Sequence, residues 1–371
     1  MRDSILQAAV IGCGAIARKK HIPVLLEHPA IHLRTLCSRS LQSALACREA
    51  FGCRHTAVTA DPEAVFSDPD TDLVVIAAPN GVHEGYALRA LAGGKHVICE
   101  KPMACAAAGA ERMLEESLRR GRMLHISYQN RYTDQALHAR RLVDEGVVSG
   151  VYYAKAYALR RRAVPTWGPW TEQSQGGGPL LDIGGHAIDL ALWLSGCFEP
   201  DILLGAAYNR LGRKGSEANR WGPWDPGRYE TEDLAVGLVR MKNGLTLSVE
   251  ASYALNIAEE KEAAVDLFGV TGGLELRQEG LTLIQELGGR MFVAGDRTQA
   301  VRRDLTPQTQ AASPARRELD AVAEMLLAGR TADPAAPQAL AVARIIDGLY
   351  RSARTGEAVR FPESAGSNQS K

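Results

Sequence analysis

The sequence predicts an α/β protein in which an N-terminal, doubly wound parallel sheet is followed by a C-terminal α+β domain with an open, mainly antiparallel sheet. The chain has 371 residues, which is longer than a single hydrophobic core usually accommodates and is a typical length for two domains. Through residue 127, short apolar runs alternate with amphipathic stretches. After Arg131 this alternation gives way to β-rich segments joined by tight turns, which indicates a second domain of different architecture.

Five strand-length apolar runs define the predicted parallel sheet. They are Leu6–Ile11, Ile31–Ser38, Leu73–Ala78, His96–Cys99 and Met123–Ser127. The run at 73–78 is apolar throughout, as a parallel strand buried on both faces requires. Predicted helices lie between the runs, at Leu41–Phe51, Gly81–Leu91 and Ala104–Arg120.

The second domain is predicted from helices, one long strand and a series of hairpins. A helix over 132–145 leads into the strand Val151–Leu159, and a helix near Leu181–Leu194 follows. Beyond residue 200, β-rich runs flank turns at 242–244 and 272–273, which predicts antiparallel hairpins. These runs are Leu234–Met241, Leu245–Tyr253, Val265–Val270 and Leu274–Arg277, and helices near Pro314–Ala328 and Pro337–Arg351 follow them.

The change of pattern also sets the expected domain boundaries. Residues 1–128 are predicted to form the first domain and residues 129–360 the second. Residues 361–371 are polar and are predicted to be a disordered tail.

Composition and charge exclude several classes of protein. Lys plus Arg and Asp plus Glu number 43 each, so the chain lacks the basic excess of a nucleic-acid binder. No segment approaches the roughly 18 apolar residues of a membrane span, and the first residues lack a signal-peptide layout. Seven cysteines without a CxxC pair predict reduced thiols and neither a disulfide frame nor a metal site. We expect a cytoplasmic protein that binds no nucleic acid, membrane or metal.

A glycine-rich loop follows the first predicted strand and reads Gly12-Cys13-Gly14-Ala15-Ile16-Ala17. Gly12 permits a tight turn, Gly14 lets the backbone approach a pyrophosphate, and Ala17 is small enough for close helix packing. The helix N-terminus that follows presents N–H groups to phosphates. The loop, including Ala15 and Ile16, predicts a dinucleotide site; an incidental glycine turn is the alternative.

The end of the second strand bears on the choice of cofactor. NAD-binding proteins place an acid there for the ribose 2′-hydroxyl, whereas this chain has none between Glu27 and Glu49. Ser38 and Arg39 stand at that position, and a guanidinium suits a 2′-phosphate. The sequence therefore favours NADP(H) over NAD(H), unless Arg39 caps the next helix or points to solvent.

Two further stretches are similar to one known family. The first joins Ala78-Pro79-Asn80 to residues 94–102, GKHVICEKP, and the second is GGGPLLDIGGHAID at 176–189. With the glycine loop, they resemble the glucose–fructose oxidoreductase / inositol dehydrogenase / MocA (Gfo/Idh/MocA) family over essentially the whole chain. The resemblance implies a Rossmann domain, a C-terminal domain whose open sheet mediates oligomer contacts, and hydride exchange between a nicotinamide and a sugar or polyol.

The residues in these stretches suit that chemistry in their own right. Exchange between a carbinol and a ketone needs a group that takes the hydroxyl proton and a donor that holds the developing alkoxide. Lys101 follows a parallel strand, where such sheets bind ligands. Asp182 and His186 are four residues apart, hence on one face of a helix, and a carboxylate beside an imidazole tunes it.

The resemblance assigns a role to each of the three. Lys101 would polarise the reacting oxygen, His186 would transfer the proton, and Asp182 would orient the substrate together with Lys101 and His186. The alternatives are structural: a solvated Lys101, a core His186 near Trp193, and a helix-capping Asp182.

The resemblance also implies roles for neighbouring residues. Asn80 and His83, which follow the strand Leu73–Ala78, would line the cofactor path. Glu100 and Pro102 would hold the Lys101 turn, whose Lys101–Pro102 bond is cis in many relatives. Residues 128–131 would approach the nicotinamide and substrate. A polar domain hinge is the alternative. We expect further cofactor contacts from Pro79, Asn80, His83, Glu100, Lys101 and Gln129, and substrate contacts from Lys101, Tyr128, Arg131, Trp167, Asp182 and His186.

Four of the five tryptophans lie in two copies of one tetrapeptide, Trp167–Trp170 and Trp221–Trp224. Indole rings stack on the C–H faces of a sugar or cyclitol, although loop packing or a lid is the alternative. Arg160-Arg161-Arg162 either receives a phosphate or nucleotide-sugar tail or is a solvated strand end. Trp193 is predicted to be a core residue.

The sequence as a whole predicts an NAD(P)-dependent dehydrogenase or reductase acting on a secondary hydroxyl or ketone of a sugar, sugar derivative or inositol. A non-catalytic dinucleotide-sensing regulator on the same fold, and a biosynthetic enzyme that oxidises and re-reduces its substrate with one retained cofactor, are the alternatives. Glycoside hydrolysis is not expected, because Gly184-Gly185-His186 replaces the Thr-His-Gly element of the superfamily's glycosidases. The predicted helices are too few to cover both faces of the C-terminal sheet, so we expect a homodimer or homotetramer through it.

Overall fold

The structure, a computed structural model, describes residues 5–296 and 312–362. These residues form two compact units. The first extends to Thr133 and includes residues 312–340, a segment that the sequence interpretation placed in the second domain. The second begins at Asp134 and includes residues 341–362. Apart from its first two residues, the predicted tail at 361–371 lies outside the described part of the chain.

The elements follow the predicted order. Within the described residues the strands are β1 (Leu6–Ile11), β2 (Ile31–Cys37), β3 (Ala57–Thr59), β4 (Leu73–Ile76), β5 (His96–Glu100), β6 (Leu124–Ser127), β7 (Tyr153–Leu159), β8 (Pro200–Tyr208), β9 (Leu234–Met241), β10 (Thr246–Ser252), β11 (Lys261–Phe268), β12 (Gly273–Arg277), β13 (Gly280–Leu287), β14 (Arg290–Asp296) and β15 (Val359–Arg360). The α-helices are α1 (Ile22–Glu27), α2 (Leu41–Ala50), α3 (Glu63–Phe66), α4 (His83–Ala92), α5 (Ala107–Arg120), α6 (Asp134–Asp144), α7 (Gly185–Ser195), α8 (Pro314–Leu327) and α9 (Ala335–Thr355).

The first unit contains a six-stranded, all-parallel sheet in the order β3-β2-β1-β4-β5-β6. Every residue of β4 is buried, as the apolar run predicted. The strand order reverses between β1 and β4, and such a switch point opens a crevice at the carboxyl ends of the strands. The predicted doubly wound sheet is confirmed, with β3 as a strand that the sequence interpretation had missed.

Helix α8 supplies part of the core of this unit. Leu319 and Val322 are buried in one cluster with Val10, Leu36 and Ile98 of the sheet. From the sequence, α8 was predicted to belong to the second domain, which is wrong. An amphipathic pattern shows that one face of a helix is buried, but it does not show which sheet that face packs against.

The second unit is built on a nine-stranded sheet in the order β14-β13-β12-β11-β7-β10-β9-β8-β15. Only β7 and β10 pair in parallel, so the mainly antiparallel prediction is confirmed. Gly244, at φ +90°, lies in the predicted β9–β10 turn. The β13–β14 hairpin was not predicted, although Gly288-Gly289, both at positive φ, was a usable turn signal.

The segment that carries Asp182 differs from the predicted α-helix. Leu180–Gly184 forms a wide, π-type turn, and the α-helix α7 begins only at Gly185. Gly184 packs so closely on β10 that an added Cβ would lie 2.9 Å from the Ala251 methyl. Turns of this type occur frequently at functional sites. Helix α7 packs against β7 and β11.

No helix among the described residues is long and apolar enough to cross a membrane.

Candidate active site

The glycine-rich loop after β1 has the backbone that its sequence predicts. Gly12 adopts φ +99°, and a Cβ there would lie 2.3 Å from the carbonyl oxygen of Ala77, so no other residue fits. Its N–H donates to the carbonyl of Cys37 at 2.9 Å, which ties the loop to the end of β2.

The outer side of the same loop is open. Gly14, Ala15 and Ile16 are exposed, and a Cβ on Gly14 would meet no protein atom within 4 Å. The Arg18 N–H donates to the Gly14 carbonyl at 3.0 Å, so a helical turn starts here, while Ala17 is buried. A narrow, open loop at a helix start, beside the sheet's switch point, fits a dinucleotide pyrophosphate.

The end of β2 leaves one cation exposed. Ser38 is half-buried, and Arg39 is exposed without a hydrogen-bond or ion-pair partner in the described part of the chain. Helix α2 is capped by Ser40, whose Oγ accepts from the Ser43 N–H at 3.2 Å, so Arg39 is not its cap. The helix-capping alternative for Arg39 is therefore wrong, and the alternative that Arg39 points to solvent remains.

Lys101 lies directly after β5, at the same sheet edge as the glycine loop. Its side chain is half-buried, its N–H donates to the Glu100 carboxylate at 3.3 Å, and the Lys101–Pro102 bond is cis. The loop after β4 at this edge presents an exposed Pro79 and a buried Asn80.

His83 is fully buried between two of these loops. Its Nδ1 lies 2.7 Å from the Pro102 carbonyl oxygen and its Nε2 lies 2.8 Å from that of Ala78. Burial lowers the pKa of the His83 imidazole. Rather than presenting an open ring nitrogen, His83 ties the loop after β4 to the Lys101 turn.

Glu100 belongs to a buried charged network that the sequence analysis missed. Its carboxylate accepts from Lys20 Nζ at 3.0 Å and pairs with His21 Nε2 at 2.8 Å. Burial alone would raise the pKa of Glu100, but Lys20 and His21 hold it well below its usual range. Lys20 also pairs with Glu318 of α8 at 3.1 Å. This network fixes the carboxylate that receives the Lys101 N–H.

His125 of β6 extends the network. Its Nδ1 lies 2.6 Å from Asp333 and its Nε2 lies 3.4 Å from Glu318. Burial alone would lower the pKa of His125, but hydrogen bonds to these two carboxylates outweigh it and raise the pKa to about 9. Burial would raise the pKa of Glu318, yet Lys20 and His125 lower it to about 2.

The segment after β6 contains predicted contact residues that are largely enclosed. Tyr128 and Arg131 are buried, and Gln129 is half-buried. Arg131 donates to Gln338 Oε1 at 2.5 Å, and its guanidinium carbon lies 6.0 Å from the centre of the Tyr128 ring. These contacts give Arg131 a structural role within the first unit.

In the second unit, Asp182 and His186 are both half-buried, on the wide turn and on α7. The Tyr253 hydroxyl donates to Asp182 Oδ2 at 2.6 Å, and Tyr253 is itself fully buried. Tyr253 was not predicted as a site residue, because in the sequence it ends an ordinary β-run. Its hydrogen bond orients the Asp182 carboxylate.

Glu232 holds the start of the turn that carries Asp182. Its buried carboxylate accepts from the N–H groups of Gly178 and Leu180, each at 3.0 Å, and from the Tyr350 hydroxyl at 2.8 Å. A Cβ on Gly178 would lie 2.5 Å from the Glu232 carbonyl oxygen, which explains part of the glycine run at 176–178. Burial raises the pKa of Glu232.

The tryptophans of the two tetrapeptides differ in burial. Trp167 is exposed, whereas Trp224 is buried and donates Nε1–H to the Gly212 carbonyl at 2.7 Å. Trp193, predicted as core, is only half-buried, and the guanidinium carbon of Arg140 lies 5.6 Å from its ring centre.

The three consecutive arginines are engaged internally. Arg160 forms a two-bond ion pair with Glu262 at 2.5 and 3.1 Å. Arg161 donates to the Ala258 carbonyl at 2.6 Å, and Arg162 donates to Asn256 Oδ1 at 2.7 Å. These contacts tie the segment after β7 to β11 and to the residues before it, which argues against a phosphate site, while Arg161 remains exposed, as a solvated strand end predicts.

Two family models match the chain. The model described as "Oxidoreductase family, NAD-binding Rossmann fold" matches residues 6–128, and the "GFO/IDH/MocA C-terminal domain" model matches residues 136–275.

Individual relatives agree with these matches. D-glucoside 3-dehydrogenase of Escherichia coli (strain K12) is 34% identical over 277 residues, which are 74% of this chain and 78% of that protein. Inositol 2-dehydrogenase of Acidothermus cellulolyticus is 29% identical over 311 residues, 83% of this chain and 82% of that protein. The structure of levoglucosan dehydrogenase in complex with NADH and L-sorbose shares the fold, with a TM-score of 0.82 at 21% identity over 96% of this chain and 99% of that chain.

Proposed function

The chain belongs to the Gfo/Idh/MocA family of oxidoreductases, and from this we propose that it exchanges a hydride between a nicotinamide cofactor and a secondary hydroxyl or ketone of a sugar, sugar derivative or inositol. The position of Lys101 carries the proposal. It follows β5 at the carboxyl edge of the parallel sheet, the edge that also holds the open glycine loop.

Each proposed catalytic residue has one task. The Lys101 ammonium holds the reacting oxygen and stabilises negative charge on it. His186 accepts the hydroxyl proton during oxidation and returns it during reduction. Asp182, oriented by Tyr253, positions the substrate. The nicotinamide, when bound, donates or accepts the hydride.

For the cofactor, we propose contacts along the carboxyl edge of the first unit. Arg39, which is exposed and has no partner among the described residues, supports a preference for NADP(H), with NAD(H) as the alternative. His83 and Glu100 act by positioning the loops that carry the contacts. The proposed contact residues are Gly12, Gly14, Ala15, Ile16, Ser38, Arg39, Pro79, Asn80, Lys101 and Gln129.

The names of the relatives, a D-glucoside dehydrogenase and an inositol dehydrogenase, support a polyhydroxylated ring as the substrate class. The seven cysteines are all without disulfide bonds, which supports a reducing, cytoplasmic location.

We also propose that the protein is a homodimer or homotetramer through the nine-stranded sheet. Helix α7 packs against β7 and β11. On β8 and β9, Leu204 and Leu238 are direct cross-strand partners and are 54% and 53% exposed. Paired, exposed leucines on a sheet are an apolar surface that a second copy can cover.

A dehydrogenase screen tests the function. Purified protein is assayed against sugars, sugar phosphates, glycosides, nucleotide sugars and inositols, each with NAD and with NADP, and nicotinamide reduction is followed at its near-ultraviolet absorbance. Oxidation of at least one of these compounds is expected. Cofactor binding without any turnover would contradict the proposal and fit the sensor alternative.

A further inference from the structure

The two Trp-Gly-Pro-Trp segments place their first tryptophans against each other. The rings of Trp167 and Trp221 meet edge to face, with centroids 4.7 Å apart and planes at 77°. Each is followed by a glycine at positive φ, Gly168 at +69° and Gly222 at +86°. Trp167 is 52% exposed and Trp221 is 36% exposed, so the pair presents aromatic faces to solvent.

Hydrogen bonds of the buried Asn219 and of Thr166 hold together the two loops that carry this pair. Asn219, itself buried, accepts from the Val164 N–H at 2.9 Å and donates to the carbonyls of Val164 at 3.0 Å and Gly222 at 2.7 Å. The Thr166 hydroxyl donates to the Trp221 carbonyl at 2.9 Å. These bonds join the two loops that carry the indoles. The exposed pair is therefore preorganised, which lowers the entropy lost when a ligand binds it.

A short chain of contacts connects this pair to Asp182. The guanidinium carbon of Arg160 lies 5.6 Å from the centre of the Trp221 ring and 5.8 Å from that of Tyr253. Tyr253 in turn donates to Asp182. Arg160 is locked by its ion pair with Glu262, so it acts as a fixed spacer between the two aromatic groups.

We propose that Trp167 and Trp221 form a subsite for a second ring of the substrate, joined to the sugar whose hydroxyl is oxidised. The preferred substrate class is then a two-ring glycoside, such as a disaccharide or an aryl glycoside, and not a free monosaccharide. Flat indoles stack on the C–H face of a sugar or on an aromatic ring, and their N–H groups bond to hydroxyls. This inference rests on the proposed function and on the role of Asp182 within it.

The test compares one-ring and two-ring substrates. kcat/KM is measured for glucose, methyl glucosides, phenyl glucosides, maltose and cellobiose with the parent, Trp167→Ala and Trp221→Ala. The parent should favour its best two-ring substrate over the matching one-ring substrate by about 10-fold or more. Each alanine variant should lower this ratio about 3- to 10-fold, the range that aromatic stacking provides.

Matched variants distinguish the loss of aromatic stacking from a general loss of folding or activity. Trp167→Tyr retains a flat face and should keep most of the ratio, and it remains informative if Trp167→Ala folds poorly. Tyr152→Ala removes an aromatic side chain of similar exposure elsewhere in the second unit and should leave the ratio unchanged.

The outcomes distinguish the two proposals. If no sugar is oxidised, the proposed function fails. If one-ring and two-ring glucosides are oxidised equally well and the tryptophan variants keep that ratio, the function stands and the subsite is overturned. A change in oligomer mass by light scattering in Trp167→Ala, with unchanged substrate ratios, would also overturn the subsite and identify the pair as a subunit contact.

Discussion

Individual residues at the carboxyl edge of the parallel sheet hold the turn that carries Lys101. The Glu100 carboxylate accepts the Lys101 N–H, and His83 Nδ1 lies 2.7 Å from the Pro102 carbonyl oxygen, so both residues hold the turn at Lys101. These contacts fix the backbone from which the Lys101 side chain extends. This is the physical basis for assigning the reacting-oxygen contact to Lys101.

Replacing Lys101 by methionine tests that assignment. Lys101→Met keeps most of the side-chain length but removes the charge, so it should lower kcat by at least ~100-fold while the other proposed contact residues retain the cofactor. Cofactor binding is measured by calorimetry and kcat on the best substrate from the screen. Lys214→Met removes an exposed charge in the second unit and serves as the control. A Lys101→Met enzyme with near-parental kcat would remove Lys101 from the mechanism.

Arg39 controls cofactor preference if its exposed guanidinium binds a 2′-phosphate. Arg39→Asp replaces that cation by a possible acceptor for the ribose hydroxyl. The ratio of kcat/KM with NADP to kcat/KM with NAD should fall about 10- to 100-fold, the value of a charged hydrogen bond. Arg54→Asp, at another exposed position of the first unit, should leave the ratio unchanged. A parent that already prefers NAD by a wide margin shows that Ser38 and Arg39 do not select NADP.

Secondary-structure elements gain their positions from buried polar groups as well as from apolar packing. Glu232 bonds the N–H groups at the start of the wide turn before α7, and this orients both the turn and the helix that follows. In the first unit, Lys20, Glu100, Glu318 and His125 join the segment before α1 to β5, β6 and α8. Breaking one partner of such a buried pair costs far more than losing a surface ion pair.

The His125 pKa makes the stability of the first unit depend on pH. Because its folded-state pKa of about 9 lies above the unfolded value near 6.5, His125 stabilises the fold fully below pH 6.5 and loses this contribution as the pH rises through 9. The free energy of unfolding should fall by on the order of 2–3 kcal/mol over this range. Urea unfolding of the parent and His125→Asn at several pH values measures the difference between their curves.

His55→Asn provides the control, since His55 is exposed in the same unit. The free energy of unfolding of His55→Asn should change with pH in the same way as that of the parent. If the difference between parent and His125→Asn does not change between pH 6.5 and 9, the charged hydrogen bonds of His125 with Asp333 and Glu318 do not stabilise the folded state.

For the whole molecule, the nine-stranded sheet raises the question of what covers its exposed apolar side chains. Leu204 and Leu238 lie opposite each other on β8 and β9. On β14, Met291 and Val293 are exposed as well. A sheet surface of this kind either recruits another copy of the chain or becomes a site of aggregation.

Leu238→Glu tests whether that surface is a subunit interface. The parent should be a dimer or tetramer by light scattering at micromolar concentration, and the variant should dissociate toward the monomer, because a buried carboxylate without a partner is strongly unfavourable. Leu118→Glu changes an equally apolar, exposed side chain on α5 and should keep the parental mass. A monomeric parent contradicts the proposed assembly.

Local sequence determined several turns and strands of this protein and its family. The Gly12 turn, the β9–β10 hairpin and the apolar strand β4 were all readable, because each depends on residues within a few positions of one another. The motifs at Lys101 and at Asp182 and His186 were enough to predict the family, which the family models confirm.

Tertiary structure alone decided how distant residues are used. Lys20 with Glu318, His125 with Asp333, and Glu232 with the Gly178 turn are pairs that no local pattern announces, because their contact follows from chain topology and not from spacing. For the same reason an amphipathic pattern could predict helix α8 but not the sheet on which it packs. Burial then converts these pairs into strong constraints, since a charge or hydrogen-bonding group removed from water must find its partner within the fold.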